Sequence, residues 1–268
     1  MENQTPTGGI SGAVLKMIAI VTMAVDHTAV AILERLLESG SAALTTDQYN
    51  SYYAMYSTMR CIGRMAFPIF CFLVVEGFLH TSNKFKYAMR MLLFAFLSEL
   101  PFDLALFHSL YDNDYNNVYY TLFLGLLTLI VIEGFLKKLE ELKAAQEAKA
   151  SQILIGVAEV ILVFCIVVGV GIVADTNLHC DYGMAGITAI VIMYLLRSKR
   201  LLGFGLGIVA LGILSAPLEF FALPMLVPIH LYNGTRGRQI KYFFYAFYPL
   251  HLLLLTVICW AIGLPVLY

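Results

Sequence analysis

Leu15-Lys-Met-Ile-Ala-Ile-Val-Thr-Met-Ala-Val-Asp-His27 is an apolar run that begins with a lysine and ends with an aspartate and a histidine. Lys16 and His27 are eleven positions apart, close to three whole helical turns. Both side chains therefore project from one helix face, about 16 Å apart along its axis. Inside a bilayer, an ionisable residue costs roughly 2.5 kcal/mol or more, so it turns to the bundle interior, pairs, and marks a functional site. The rest of the chain reads as housing for Asp26 and His27.

Composition agrees with that reading. The 268 residues are 60% hydrophobic and only 13% charged, with a mean hydropathy of +0.80, which excludes an ordinary water-soluble domain. The apolar runs lack the short alternation of an outer-membrane barrel, and many approach the ~20 residues that a helix needs to span the hydrocarbon. The expected class is all-α: a polytopic transmembrane helical bundle in one integral membrane domain, residues 1–268. A net charge of −1 gives no sign of a nucleic-acid partner. Cys61, Cys71, Cys165, Cys180 and Cys259 show no metal-ligand spacing, so no metal is expected; the five read as core residues, with a Cys61–Cys180 bridge the one pairing to check. The first apolar segment has neither a basic leader nor a small-residue cleavage signal and reads as a retained span.

Breaks in hydropathy give about nine spans: 13–34, 61–79, 87–107, 118–136, 152–174, 182–196, 201–215, 217–231 and 242–262. The seventh and eighth are short, are separated by Ser215-Ala-Pro217, and read as a tilted hairpin or a re-entrant pair. This arrangement puts 14 of the 17 Lys and Arg on one side and leaves Arg35, Arg60 and Arg64 on the other. The N-terminus is accordingly expected in the cytoplasm. Residues 35–59 read as an outer loop whose Tyr49, Tyr52, Tyr53 and Tyr56 suit a headgroup belt, and Lys137 to Lys149 as a solvated helical extension with i,i+4 ion pairs.

Polar residues within the spans cluster in a few places. Arg60 and Arg64 lie one turn apart near the outer end of the second span, with Glu76 and His80 toward its inner end, where an intrabundle hydrogen bond is the expected role of both. In the third, Ser98-Glu-Leu-Pro-Phe-Asp103 sets Glu99 and Asp103 on one face at i,i+4, while Pro101 removes a backbone donor. Arg60 and Arg64 are their expected partners. Asp181-Tyr-Gly183, Asn116-Asn117 and Thr121 supply polar groups at the outer mouth, where N-capping by Asp181 is the ordinary alternative. Tyr248 and His251 share a face of the last span at i,i+3, at a depth comparable to His27, which points to a shared cavity. Finally, Tyr232-Asn-Gly-Thr-Arg-Gly-Arg238 and Lys241 form an inner loop whose glycines and cations suit a phosphate-bearing donor.

Taken together, Leu15-Lys-x-Ile-Ala, Met23-x-x-Asp-His27, Arg60-x-x-Gly-Arg64-x-Ala-Phe-Pro, Ser98-Glu-x-Pro-Phe-Asp103, Asp181-Tyr-Gly183, Leu231-Tyr-Asn-Gly-x-Arg-Gly237 and Phe247-Tyr-Pro-Leu-His251 resemble the TraX family. That family takes its name from the conjugation protein that acetylates the N-terminus of F-type pilin. The spacing of Lys16 and His27 is also similar to the signature of the acyltransferase-3 membrane O-acetylases. The resemblance implies acetyl-CoA as donor, the first-span histidine as catalytic residue, and delivery of acetyl to an acceptor at or beyond the outer face.

The leading expectation is thus an acetyl-CoA-dependent acetyltransferase of the cytoplasmic membrane, multi-pass and lipid-embedded, whose acceptor is a protein or glycan. His27 would be the general base, oriented by Asp26 or by an acid on a neighbouring helix. Lys16, Tyr232, Asn233, Arg236, Arg238 and Lys241 would hold the donor. Arg60, Arg64, Glu76, Glu99, Asp103, Asp181, Tyr248 and His251 would shape the cavity. The rival is a proton-coupled transporter with Asp26, His27, Glu99, Asp103 and His251 as a relay; a third reading makes the chain a scaffold for a secretion or conjugation complex.

Overall fold

The computed structural model describes residues 8–39, 44–112, 114–146, 148–238 and 241–267; the side chains of Lys241 and Tyr242 lie outside the described set. Among these residues the chain is helical, with no strand. The elements are α1 (Gly12–Ser39), α2 (Thr46–His80), α3 (Lys84–Phe102, continuing through Asp103–Phe107), α4 (Val118–Ala144), α5 (Lys149–Asn177), α6 (Gly183–Leu195), α7 (Arg200–Leu214), α8 (Pro217–Leu231) and α9 (Lys241–Ala261). By length and composition, five segments are apolar enough to cross a membrane: α1, α2, α4, α5 and Phe243–Ala261 of α9. α3 is not among them, because Lys84, Lys86, Arg90, Glu99 and Asp103 are strung along it. The lipid-facing character is plainest on α5, where Leu154, Val160 and Phe164 are each about two-thirds or more exposed. Such a continuous apolar surface needs an apolar surround, and the protein is a membrane helical bundle.

Three sequence expectations change at the level of local structure. Residues 35–59 are mostly helix: α1 runs to Ser39 and α2 begins at Thr46. A capping box explains the early start, with the Gln48 amide donating to the Thr45 hydroxyl while the Thr45 amide donates to Gln48 Oε1 at 2.9 Å. Lys143 pairs with Glu159 of the neighbouring α5 at 3.1 Å, where i,i+4 pairing within its own helix was expected. All five cysteines are free, so there is no Cys61–Cys180 bridge.

Two breaks in regularity position the site. α2 loosens at Arg64-Met65, four residues before Pro68, whose ring leaves the Arg64 carbonyl without its normal helical donor. The loosened turn lies beside the ion pairs of Arg64. α1 widens to π-helical geometry over Ala29–Glu34, one residue beyond His27, a kind of bulge that recurs at functional sites. α7 and α8 fold back on each other about Ser215-Ala216. Gly212 makes this possible, since a Cβ there would lie 2.5 Å from the Phe220 ring. The expected hairpin is therefore present.

Candidate functional site

Two cavities are stacked along α1, α2, α4 and α9. The first, about 340 Å³, is lined by His27, Asp26, Arg60, Arg64, Asp181 and Tyr248, among others. The second, about 390 Å³, is lined by Lys16, Glu76, Arg90, Tyr119, Tyr232 and Arg236, among others. One stripe of α2 serves both: Arg60, Gly63, Arg64, Phe67 and Phe70 face the first, and Phe70, Leu73, Val74, Gly77 and His80 the second. This is the i, i+3, i+4, i+7 face of a helix turned inward.

At the first cavity, Asp26 and His27 part company, since adjacent helical positions point about 100° apart. Asp26 accepts from Arg60 Nη1 at 2.7 Å, and both its oxygens accept from Arg64 Nη2 at 2.8 Å. Gly63 lies between the two arginines in sequence, and a Cβ there would sit 2.2 Å from the Asp26 side chain. Only glycine lets the carboxylate come this close. Arg64 Nη1 also donates to Glu219 Oε1 at 3.0 Å and lies 3.0 Å from the Tyr182 hydroxyl. Glu219, fully buried, comes from α8 and was not picked out in the sequence, although an acid just after Pro217 in an apolar run was a visible signal. Tyr182 stacks on Phe67 with ring centroids 3.7 Å apart. A carboxylate held by two guanidiniums, one of them shared with a second carboxylate, is a nearly neutral charge cluster.

His27 instead meets His251, its Nδ1 lying 2.7 Å from His251 Nε2. His251 Nδ1 in turn lies 2.8 Å from the Phe247 carbonyl oxygen. A carbonyl only accepts, so His251 Nδ1 carries the proton. With both rings neutral, His251 Nε2 is then an acceptor, and His27 Nδ1 is the donor to it. The lone pair of His27 falls on Nε2, the nitrogen left for a cavity ligand. Tyr248 packs edge-on to His27 with centroids 5.7 Å apart. His251 lines neither cavity and sits behind His27. The expected orienting acid is thus replaced by a second histidine.

The remaining expected residues divide. Glu99 takes the side chain of Asn117, which also donates to the Ala95 carbonyl at 2.8 Å and accepts from the Tyr119 amide at 3.0 Å, so Glu99 secures the start of α4. Asp103 Oδ2 accepts from the Asp112 amide at 3.1 Å. Neither acid lines either cavity, and their expected arginine partners are committed to Asp26 and Glu219. Asp181 lines the first cavity but does not cap α6, whose N-cap is Tyr182. Burial raises the Asp181 carboxyl to about 6, against the pull of Arg64.

Around the second cavity, Tyr232 donates to Glu76 Oε2 at 3.0 Å. Burial, reinforced by that carboxylate, holds the Tyr232 phenol above its ordinary range. Glu76 thus makes the intrabundle hydrogen bond expected of it. His80 is exposed and its Nδ1 lies 2.8 Å from the Glu76 carbonyl oxygen one turn back in the same helix, so the intrabundle role expected of His80 does not appear. Arg236 Nη2 donates to the His80 carbonyl at 3.1 Å, and Lys16 Nζ lies 5.2 Å from the Phe244 ring centroid. Arg90, read in the sequence only as a marker of orientation, lines this cavity with a buried Nε that has no hydrogen-bond partner. Asn233 and Arg238 stay outside it. Asn233 Oδ1 accepts from the Thr235 amide at 3.0 Å, and Arg238 is exposed; the Lys241 side chain is outside the described residues. Of the two loop glycines, Gly237 serves a join with residues 8–13, since a Cβ there would sit 2.2 Å from the Ser11 hydroxyl, whereas Gly234 lines the second cavity with open space around it. The amides of Gly12 and Ala13 donate to the Thr235 and Arg236 carbonyls at 2.8 and 3.1 Å, and a Cβ on Gly9 would sit 2.4 Å from the Leu231 carbonyl oxygen.

The family model described as "TraX protein" matches residues 11–259, a range that holds α1 to α8 and all but the last two residues of α9. The chain belongs to the TraX family. It is also 26% identical over 266 residues to a probable fimbrial assembly protein FimC, serogroup H1, of Dichelobacter nodosus, covering 90% of this chain and 92% of that relative. No solved structure matches. The TraX-family match takes in both histidines, the Asp26 cluster and the cations of the second cavity.

Proposed function

We propose that this TraX-family protein is a multi-pass acetyltransferase of the cytoplasmic membrane, N-terminus inside, which takes acetyl from cytosolic acetyl-CoA and passes it to an acceptor at the outer side. The observation that carries this reading is the hydrogen-bonded line from the Phe247 carbonyl through His251 to His27, which leaves a bare Nε2 on the wall of the first cavity. A base oriented by a second group behind it is the arrangement acyl transfer requires.

The second cavity suits the donor. Its cations, Lys16, Arg90 and Arg236, stand among aromatic and aliphatic side chains, a lining that suits a donor with charged phosphates and an apolar arm. A pantetheine arm threads the apolar part while the charged nucleotide end stays near the mouth. In the reaction, His27 Nε2 removes a proton from the acceptor amine or hydroxyl as its heteroatom attacks the thioester carbonyl. The C–S bond breaks, acetyl ends on the acceptor, and the proton returns from His27 to the CoA thiolate. Arg60, whose side chain is a quarter exposed on the same cavity, has guanidinium donors to spare for the developing oxyanion. Asp26 acts by holding Arg60 and Arg64 in place. The fimbrial assembly relative favours a pilus-type subunit as acceptor, with a peptide amine the first to try.

The test is acetyl-CoA turnover by the detergent-purified protein, followed as free CoA in the presence of a peptide with a free N-terminus. His27→Ala should lower release by roughly 100-fold or more while CoA still binds. Equal release by the variant, or substrate flux in vesicles with no acetylated product, would favour the transporter.

A further inference from the structure

Among the described residues, Phe70 is the side chain that lines both cavities. It stands midway along the inward stripe of α2, with Phe67 on one side and Leu73 and Val74 on the other. The two cavities continue each other on the other helices as well. On α1 the wall passes from Gly12 and Lys16 to Met23, Asp26 and His27. On α9 it passes from Phe244 and Tyr245 to Tyr248. Between them on α1, Ala19 and Ile20 are buried in the core. Tyr119 on the second cavity meets Tyr248 on the first edge-on, with centroids 5.2 Å apart, and Tyr248 meets His27 at 5.7 Å. Phe70 is thus common to two compartments that the same helices would otherwise join.

We propose that Phe70 is the partition between the cavities and, resting on the acetyltransferase reading, the stop that limits the transferred acyl group to two carbons. A thioester entering from the Lys16 side has to place its carbonyl at the level of Phe70 to come within reach of His27 Nε2. The acyl methyl then lies against the ring, and each further methylene meets it. A pocket of fixed length discriminates by roughly 10- to 200-fold per methylene. The same ring keeps water in the first cavity away from the donor until an acceptor has arrived.

Two measurements test this. In the first, wild type, Phe70→Leu and Phe70→Ala are supplied with acetyl-, propionyl- and butyryl-CoA, and CoA release is followed with and without an acceptor peptide. The wild type should fall steeply with chain length. Phe70→Ala should raise the butyryl-to-acetyl ratio by roughly tenfold or more, with Phe70→Leu between, and should release CoA without acceptor. A ratio unchanged in both variants overturns the selectivity. In the second, Met23→Cys is placed in the first cavity and a small charged thiol reagent is added from the Lys16 side of sealed vesicles, against the parent without that change. Labelling should be slow with Phe70 present and at least several-fold faster in the Phe70→Ala background. Equal rates overturn the partition. If the wild type turns over no acyl-CoA, the acetyltransferase reading falls, while the labelling still decides whether Phe70 divides the cavities.

Discussion

The Asp26 region and the Glu99–Asp103 region hold the same kind of residue inside the bundle, and they are built differently. Asp26 and Glu219 are bound by arginines, and Arg60, Arg64 and Asp26 line a cavity. Glu99 and Asp103 are bound by Asn117 and by the Asp112 amide and line neither cavity. A carboxylate with an arginine can stay charged in a buried site, and it leaves further guanidinium donors for a ligand. A carboxylate served only by amides fastens one loop to one helix. The first region is site architecture, and the second is a latch that sets where α4 begins.

The largest effect belongs to Arg64. Arg64→Ala strands the fully buried Glu219 and halves the hold on Asp26, so thermal melting in detergent should show a loss of about 3–5 kcal/mol. A shift near zero would mean that the cluster is not the support described here. His251→Leu should come next. It removes the acceptor for His27 Nδ1 and frees the tautomer, so CoA release should drop by roughly 100-fold with the melting temperature little changed; His251→Asn, which keeps an acceptor, should recover part of it. Retained activity in the leucine variant would show that His27 is oriented by something else.

Gly63→Ala sharpens the comparison at the level of one methyl group. The Asp26 side chain 2.2 Å from the added Cβ must move, with a cost of about 1–3 kcal/mol and a loss of turnover as the arginines shift. An unchanged melting curve would contradict the close approach. Glu99→Gln is the smallest. The amide keeps a partner for Asn117, so stability should change by about 1 kcal/mol or less and CoA release by less than twofold. Abolished turnover in a well-folded Glu99→Gln would erase the distinction between the two regions.

The helices were legible because the apolar runs carry hydropathy in long uninterrupted blocks, and the hairpin because Ser215-Ala-Pro217 interrupts one. His27 with His251 was legible from two histidines at matching depth. Partner choice was not. Arg64 is equally compatible, in sequence, with Glu99, Asp103 or Glu219, and only the loosening of α2 before Pro68 and the return of α8 decide among them. Thr45 and Gln48 spelled a capping box inside what composition made a loop. Asn233 looked like part of an anion-binding turn, yet its side chain donates to the Gly8 carbonyl, 225 positions away, and the nearby Thr235 and Arg236 carbonyls accept from the first amides of α1, a join that no local pattern announces.

The most direct test of the central claim uses sealed vesicles with labelled acetyl-CoA confined to the side that carries Lys16 and Arg236 and a membrane-impermeant peptide with a free N-terminus on the other. The account predicts that label appears on the peptide with the wild type and is lost with His27→Ala. Label that stays with CoA in both, or reaches the peptide equally well in the variant, would contradict it.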